Sequence, residues 1–159
     1  MRAMRFGGLF RMLSFFTALQ MLSPVEVTHA REGAAKAEHV AREWLALADR
    51  GNYLDGWLQG AASLQRHMDE AVWVEHMAVL RDPLGELRQR RLYALAITHR
   101  WPDVPKGLYL VAEYISRFEY REVREILVNQ LQRDGSWRVA DYQVKPLPAA
   151  PTEPSTPSS

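Results

Sequence analysis

At Gly85 the apolar period of this chain changes from about 3.6 residues to 2, and that switch restricts the possible folds more than any single motif does. A stretch patterned for a helix leaves its apolar residues on both faces if it is drawn out as a strand, and the reverse substitution fails as well. Helices grouped before Gly85 and strands grouped after it predict an α+β protein, with N-terminal helices packed on a curled four-stranded antiparallel sheet.

Between Arg31 and Leu80 the spacing is helical. Val40, Trp44, Leu47 and Ala48, flanked by Ala37, Ala41 and Leu45, recur at intervals of three and four and form one broad apolar stripe. Gly51 stops this helix as a left-handed cap residue. Asn52 is the expected N-cap of a second helix, with Asp55 in its first turn and Trp57, Leu58, Ala61 and Leu64 on its buried side. A third follows Asp69, carries Val72, Trp73, His76, Met77 and Leu80, and ends in the turn Arg81-Asp82-Pro83-Leu84-Gly85.

Four strands follow. The first is expected from Leu87 to Trp101, with Tyr93, Leu95, Ile97 and His99 alternating with Leu92, Ala94, Ala96 and Thr98. Pro102-Asp103-Val104-Pro105-Lys106-Gly107 reverses the chain into a second strand, Leu108 to Phe118. A third runs from Glu122 to Gln132, the turn Arg133-Asp134-Gly135-Ser136 follows, and Trp137 to Val144 completes the meander.

The two ends read differently. Residues 1–30 have the order of an export signal: Arg2, Arg5 and Arg11, an apolar run from Met12 to Leu22, a break at Ser23-Pro24, then the small-residue segment Thr28-His29-Ala30. At about 1.5 Å per residue that run covers only about half of a ~30 Å bilayer core, so cleavage near Ala30 is expected over a retained anchor. The mature protein is then periplasmic or secreted, with no stable membrane span. From Pro146 onward, prolines alternate with Ala, Ser and Thr, a composition that predicts a disordered tail over residues 146–159. The folded part is one domain, residues 31–145.

Removing residues 1–30 takes away three basic groups and one acid, and turns the formal +1 of the whole chain into −1. Such a balance gives no electrostatic case for nucleic acid. The absence of cysteine excludes disulfides, thiolate catalysis and thiolate metal sites together.

Three segments together resemble a bacterial family of exported proteins known only as domain of unknown function number 4019. They are Trp44-Leu45-Ala46-Leu47-Ala48-Asp49-Arg50-Gly51-Asn52-Tyr53 with Trp57 following, Arg81-Asp82-Pro83-Leu84-Gly85 with Arg91 following, and Asp134-Gly135-Ser136-Trp137-Arg138-Val139-Ala140-Asp141-Tyr142. The resemblance spans about Ala37 to Val144. This chain has Gly56 where the family would have a small hydroxyl residue before the tryptophan, and Asp141 where glycine is usual before the aromatic. The resemblance implies no particular activity, since none is attached to the family as a class. The order of elements is also similar to the cone-shaped, cystatin-like fold of nuclear transport factor 2 and ketosteroid isomerase, which hosts catalysts and non-catalysts alike.

A pocket between sheet and helices would draw on Trp57, Trp73, His76, Tyr93, Tyr114 and Tyr142, all on apolar faces of their elements. Core packing competes with that role at each aromatic position, and a hydrogen-bonded filler role competes at His76. His99 reads as a surface or turn residue. His39, His67, His76 and His99 are scattered over different elements, which argues against a metal, and no cofactor motif is present. No serine lies in a glycine-rich elbow. Glu113 and Asp141 are the acids that acid-base chemistry would use, although Glu113 can instead pair across the sheet with Arg124 or Arg90. Arg88, Arg90, Arg91, Arg117, Arg121, Arg124, Arg133 and Arg138, interleaved with glutamates, read as a solvated sheet face, with a basic groove as the alternative.

Two functions of different class follow. One is a non-catalytic module that binds a protein partner or a small apolar ligand, and for which a homodimer through the open sheet face is an ordinary assembly. The other is a small acid-base enzyme of isomerase or lyase type. The lack of a dense catalytic constellation favours the first.

Overall fold

The computed structural model describes residues 24–102 and 105–147. The leader before Pro24, Asp103-Val104 in the first turn, and the tail from residue 148 lie outside the described residues. Helix α1 (Pro24–Asp49) is followed by α2 (Tyr53–Leu58), α3 (Ala62–His67) and α4 (Glu70–Arg81), a 3₁₀ turn at Asp82–Leu84, and strands β1 (Leu87–Thr98), β2 (Tyr109–Phe118), β3 (Glu122–Leu131) and β4 (Trp137–Pro146). The strands form one open antiparallel meander in the order β1-β2-β3-β4. This is the α+β architecture that the change of period predicts.

Residues 24–30 depart from the expectation. Thr28-His29-Ala30, expected to follow a break at Ser23-Pro24, are helical, since α1 is described from Pro24 through all three; Ser23 lies outside the described residues. Farther along, Ala37, Ala41, Trp44, Leu45 and Ala48 form the buried stripe. The helix ends in a Schellman motif: Gly51, at φ 73°, donates to Ala48 O at 3.1 Å, and Asn52 N–H reaches Leu47 O at 3.0 Å.

The expected second helix is two short ones. Gly60 and Ala61 separate them because Ala61 turns extended and donates its N–H to Val139 O on β4 at 2.8 Å, a tertiary bond that takes precedence over continuing the helix. Leu58, expected inside, is exposed. Asn52 makes no side-chain cap, whereas Asp69 accepts from Val72 N at 3.0 Å and opens α4. Gly56 has its one hydrogen pressed on Trp44: an added Cβ would sit 3.3 Å from that ring, whose indole N–H donates to Gly56 O at 2.9 Å.

Register assigns the two faces of the sheet. Ala112, Leu127 and Tyr142 lie side by side on the face that packs against Trp44, Leu45, Trp73 and Met77. Trp44 meets Trp73 edge-on at 6.0 Å and Tyr142 at 5.3 Å between ring centroids. Strand β1 does not alternate simply. A bulge between Leu92 and Ala94 puts Leu92, Leu95 and Ile97 on the helix-packed face and separates Tyr93 from them. At the far end β4 continues through Pro146, opposite Val123, beyond the expected stop at Val144. A proline is acceptable there because β4 is an edge strand.

Candidate functional site

The innermost chemistry of the molecule is a closed ion network. Arg81 closes α4 and is 5 % exposed; it donates to Glu125, to Asp49 at the end of α1, and to Tyr142 Oη at 2.9 Å. Arg90 on β1 binds Asp49 through two hydrogen bonds, at 2.7 and 2.8 Å, and reaches Glu125 Oε2 at 2.7 Å and Ser116 Oγ at 3.1 Å. Ser116 and Tyr142 both donate to Glu125, the latter at 2.6 Å. Two cations therefore meet two anions, and Glu125 is fully enclosed. Arg81 also lies over the Phe118 ring at 4.7 Å.

Burial alone would raise the Asp49 carboxyl, but the hydrogen bonds and charge of Arg90, then Arg81, hold it below the ordinary carboxylate range. Burial, reinforced by Glu125, pushes the Tyr142 hydroxyl well above its usual value. Burial and Asp82, which accepts from Tyr53 Oη at 2.8 Å, push Tyr53 up to about 12. These groups are saturated with partners, so the network joins α1, α4, β1 and β3 and leaves neither of its carboxylates free to move a proton.

That arrangement corrects the reading of the arginines as one solvated ladder. Arg90 and Glu125 point into the protein, while Arg88 keeps exposed pairs with Glu86 at 3.1 Å and Glu119 at 3.4 Å. Glu113 pairs with Arg124 at 3.5 Å, the first of its two expected partners. Arg90, the other, is taken by Asp49 and Glu125.

The structure brings Trp73, His76 and Tyr142 together around one cavity of about 190 Å³ and leaves Trp57, Tyr93 and Tyr114 elsewhere. Trp57 is half-buried and donates to Met68 O at 2.9 Å. Tyr93 is exposed on the opposite face, where Arg124 stands 6.0 Å over its ring. Tyr114 is buried in the core and bonds Glu38 at 3.3 Å. His76, expected within the apolar register of α4, faces outward, with its ring 6.4 Å from that of Trp73. His99 is exposed. Among the described residues no group of three His, Asp or Glu side chains could hold a metal ion.

A larger concavity of about 570 Å³ lies between the first half of α1 and the adjoining sheet. Gly33 and Ala34 form its helix side, and Ile97, Leu108, Leu110, Leu131 and Trp137 line it from the sheet, with His29, Glu32 and Lys36 at its border. Its surface is mostly apolar because α1 covers β2, β3 and β4 and leaves Leu92, Leu95 and Ile97 of β1 exposed. Beside Leu110 in register stands Asn129, fully buried, with neither side-chain amide atom hydrogen-bonded. Sequence reasoning missed this groove, since its residues come from both ends of the domain.

Fold and cavities together define a small α+β domain with one helix-covered sheet face, an apolar groove and, among the described residues, no assembled catalytic group. Residues 40–142 match the family model described as a protein of unknown function, DUF4019, and the chain belongs to that family. No curated protein and no solved structure matches it. No helix among the described residues is long and apolar enough to cross a membrane.

Proposed function

We propose that this protein is an exported, non-catalytic binding module that holds a small apolar ligand in the groove between α1 and the sheet. The groove carries the reading: at about 570 Å³ it far exceeds the cavity beside Trp73 and His76, and its walls are aliphatic and aromatic side chains. Of the two acids that the enzymatic alternative would use, Glu113 is neutralised by Arg124, which leaves Asp141 alone to carry that reading. The sheet with helices over one face is in keeping with the cone-shaped fold of nuclear transport factor 2.

Export rests on the order of basic, apolar and small residues in the leader. Cleavage after Ala30 is compatible with the packing, since residues 28–32 are exposed and the buried stripe of α1 starts at Ala37. It takes His29 and Ala30 from the groove and leaves Gly33 and Ala34 on its helix side, with Glu32 and Lys36 at the border. The product is periplasmic or secreted.

The test is titration with a fluorescent polyunsaturated fatty acid, read by energy transfer from the tryptophans, of which Trp137 lines the groove, and by displacement with an unlabelled acid. Saturable binding that is lost in Leu110→Arg and kept in Tyr93→Ala is expected. Absence of saturable binding overturns the ligand, and a protein from the cell envelope or medium that retains residues 1–30 overturns the cleavage.

A further inference from the structure

The smaller cavity is chemically unlike the groove. It lies along the free edge of β4, with Leu64 and His67 of α3, Met68 just after it and Trp73 and His76 of α4 on one side and Trp101-Pro102 on the other. Alternation along β4 sends Tyr142 to the helix-packed face and Asp141 and Gln143 to the opposite one, so the cavity takes residues from both faces. No lysine or arginine lines it, and Asp141 is its one anion.

Asp141 is held in place but not neutralised. Its Oδ2 accepts from the Trp101 indole at 2.8 Å and from the Gln143 amide at 2.8 Å, while Oδ1 has no hydrogen-bond partner among the described residues. No cationic side chain pairs with it among those residues, in contrast to Asp49, Glu113 and Glu125. A half-buried carboxylate with fixed orientation and no counter-ion presents negative potential to the cavity, with half-buried Trp101 as the more exposed aromatic wall beside the buried Trp73 and Tyr142. About 190 Å³ accommodates about half a dozen non-hydrogen atoms, at the ~30 Å³ that one water takes in the liquid.

We infer that this cavity binds a small organic cation, an alkylammonium group seated between the aromatic walls and the Asp141 carboxylate. Charge and shape select the class: an anion is repelled by Asp141, and a neutral apolar molecule of the same size leaves that carboxylate without the water it displaces. The site is independent of the groove.

The probe is choline, set against 3,3-dimethylbutan-1-ol, its uncharged isostere. Titration of the ¹⁵N-labelled protein is followed through the indole N–H resonances of Trp73 and Trp101, with those of Trp44 and Trp137 as internal references. Choline is expected to move the first two saturably at millimolar concentration or below, with affinity about tenfold or more above that of the alcohol. Asp141→Asn, which keeps the acceptor for Trp101 and removes the charge, is expected to abolish that preference. No saturable shift, equal binding of the alcohol, or unchanged choline binding in Asp141→Asn overturns the inference. The two-ligand comparison needs only the unmodified protein, so it decides the matter even if the variant does not fold.

Discussion

Arg90 holds Asp49 in a fork of two hydrogen bonds, Nη1 to Oδ2 at 2.7 Å and Nη2 to Oδ1 at 2.8 Å, and so ties strand β1 to the last residue of α1. A planar guanidinium can make both bonds at once, while a lysine ammonium is a point charge on a flexible stem. Arg90→Lys therefore loses about 1–2 kcal/mol of stability in urea unfolding, as one charged hydrogen bond goes unmade. Retention of full stability in Arg90→Lys contradicts this account.

Removing an anion is more severe. Glu125 is fully buried between Arg81 and Arg90, and Glu125→Gln leaves two cations facing one acid. The expected loss is about 3–5 kcal/mol, measured by chemical denaturation. A loss below that of Arg90→Lys shows that the network tolerates an uncompensated charge.

Stability depends on pH with a definite sign at both ends. The folded carboxyl of Asp49 titrates below its unfolded value, so its contribution is present above about pH 4 and is lost as pH falls through the folded value. Tyr53, raised to about 12, and Tyr142, raised well above its ordinary value, bind their protons more tightly when folded. Their contribution is whole below about pH 10 and is lost as pH rises beyond it. Unfolding free energies measured across the range should fall at both extremes, and Asp49→Asn should flatten the acid limb more than the alkaline one.

Two left-handed glycines should respond unequally to alanine. Gly51 has open space where a Cβ would go, so Gly51→Ala costs about 1 kcal/mol from backbone strain. At Gly85, φ 76°, that Cβ would lie 2.8 Å from Glu119 Cβ and 2.9 Å from the Tyr120 ring. This glycine joins the 3₁₀ turn to β1 where Glu86 O and Leu84 O accept from the β2-β3 turn. Thermal unfolding should rank Gly85→Ala clearly below Gly51→Ala, and equal midpoints defeat the steric explanation.

Asn129 is buried with neither amide atom bonded. Asn129→Leu is expected to raise stability by about 1–2 kcal/mol, since it removes an unsatisfied polar group from an apolar layer. Reduced stability in this variant indicates an ordered water that serves the amide.

How much was legible differs between fold and site. The turn at Asp134-Gly135, the cap at Gly51, the start of α4 after Asp69 and the strand order depend on residues close in sequence, and each lies where the local pattern predicts it. Of the six pocket candidates only Trp73, His76 and Tyr142 share a cavity, because apolar register says that a side chain leaves its element on a given face and not what stands opposite. Locally, Arg81 stands at the start of a turn and Asp49 at the end of a helix. Their pairing with Glu125 and Arg90 has no local signature.

By itself the amino-acid sequence determined the helical and extended halves, the turns between strands and the membership of the chain in its family, since period and turn chemistry act over a few residues. Only the tertiary structure decided which charges are buried, that Ala61 leaves its helix for Val139 O, and that one bulge in β1 turns Tyr93 away from Leu95 and Ile97. Each of these depends on a partner far along the chain. The free energy of a buried ion pair or a strand-edge hydrogen bond appears only when both groups leave water together.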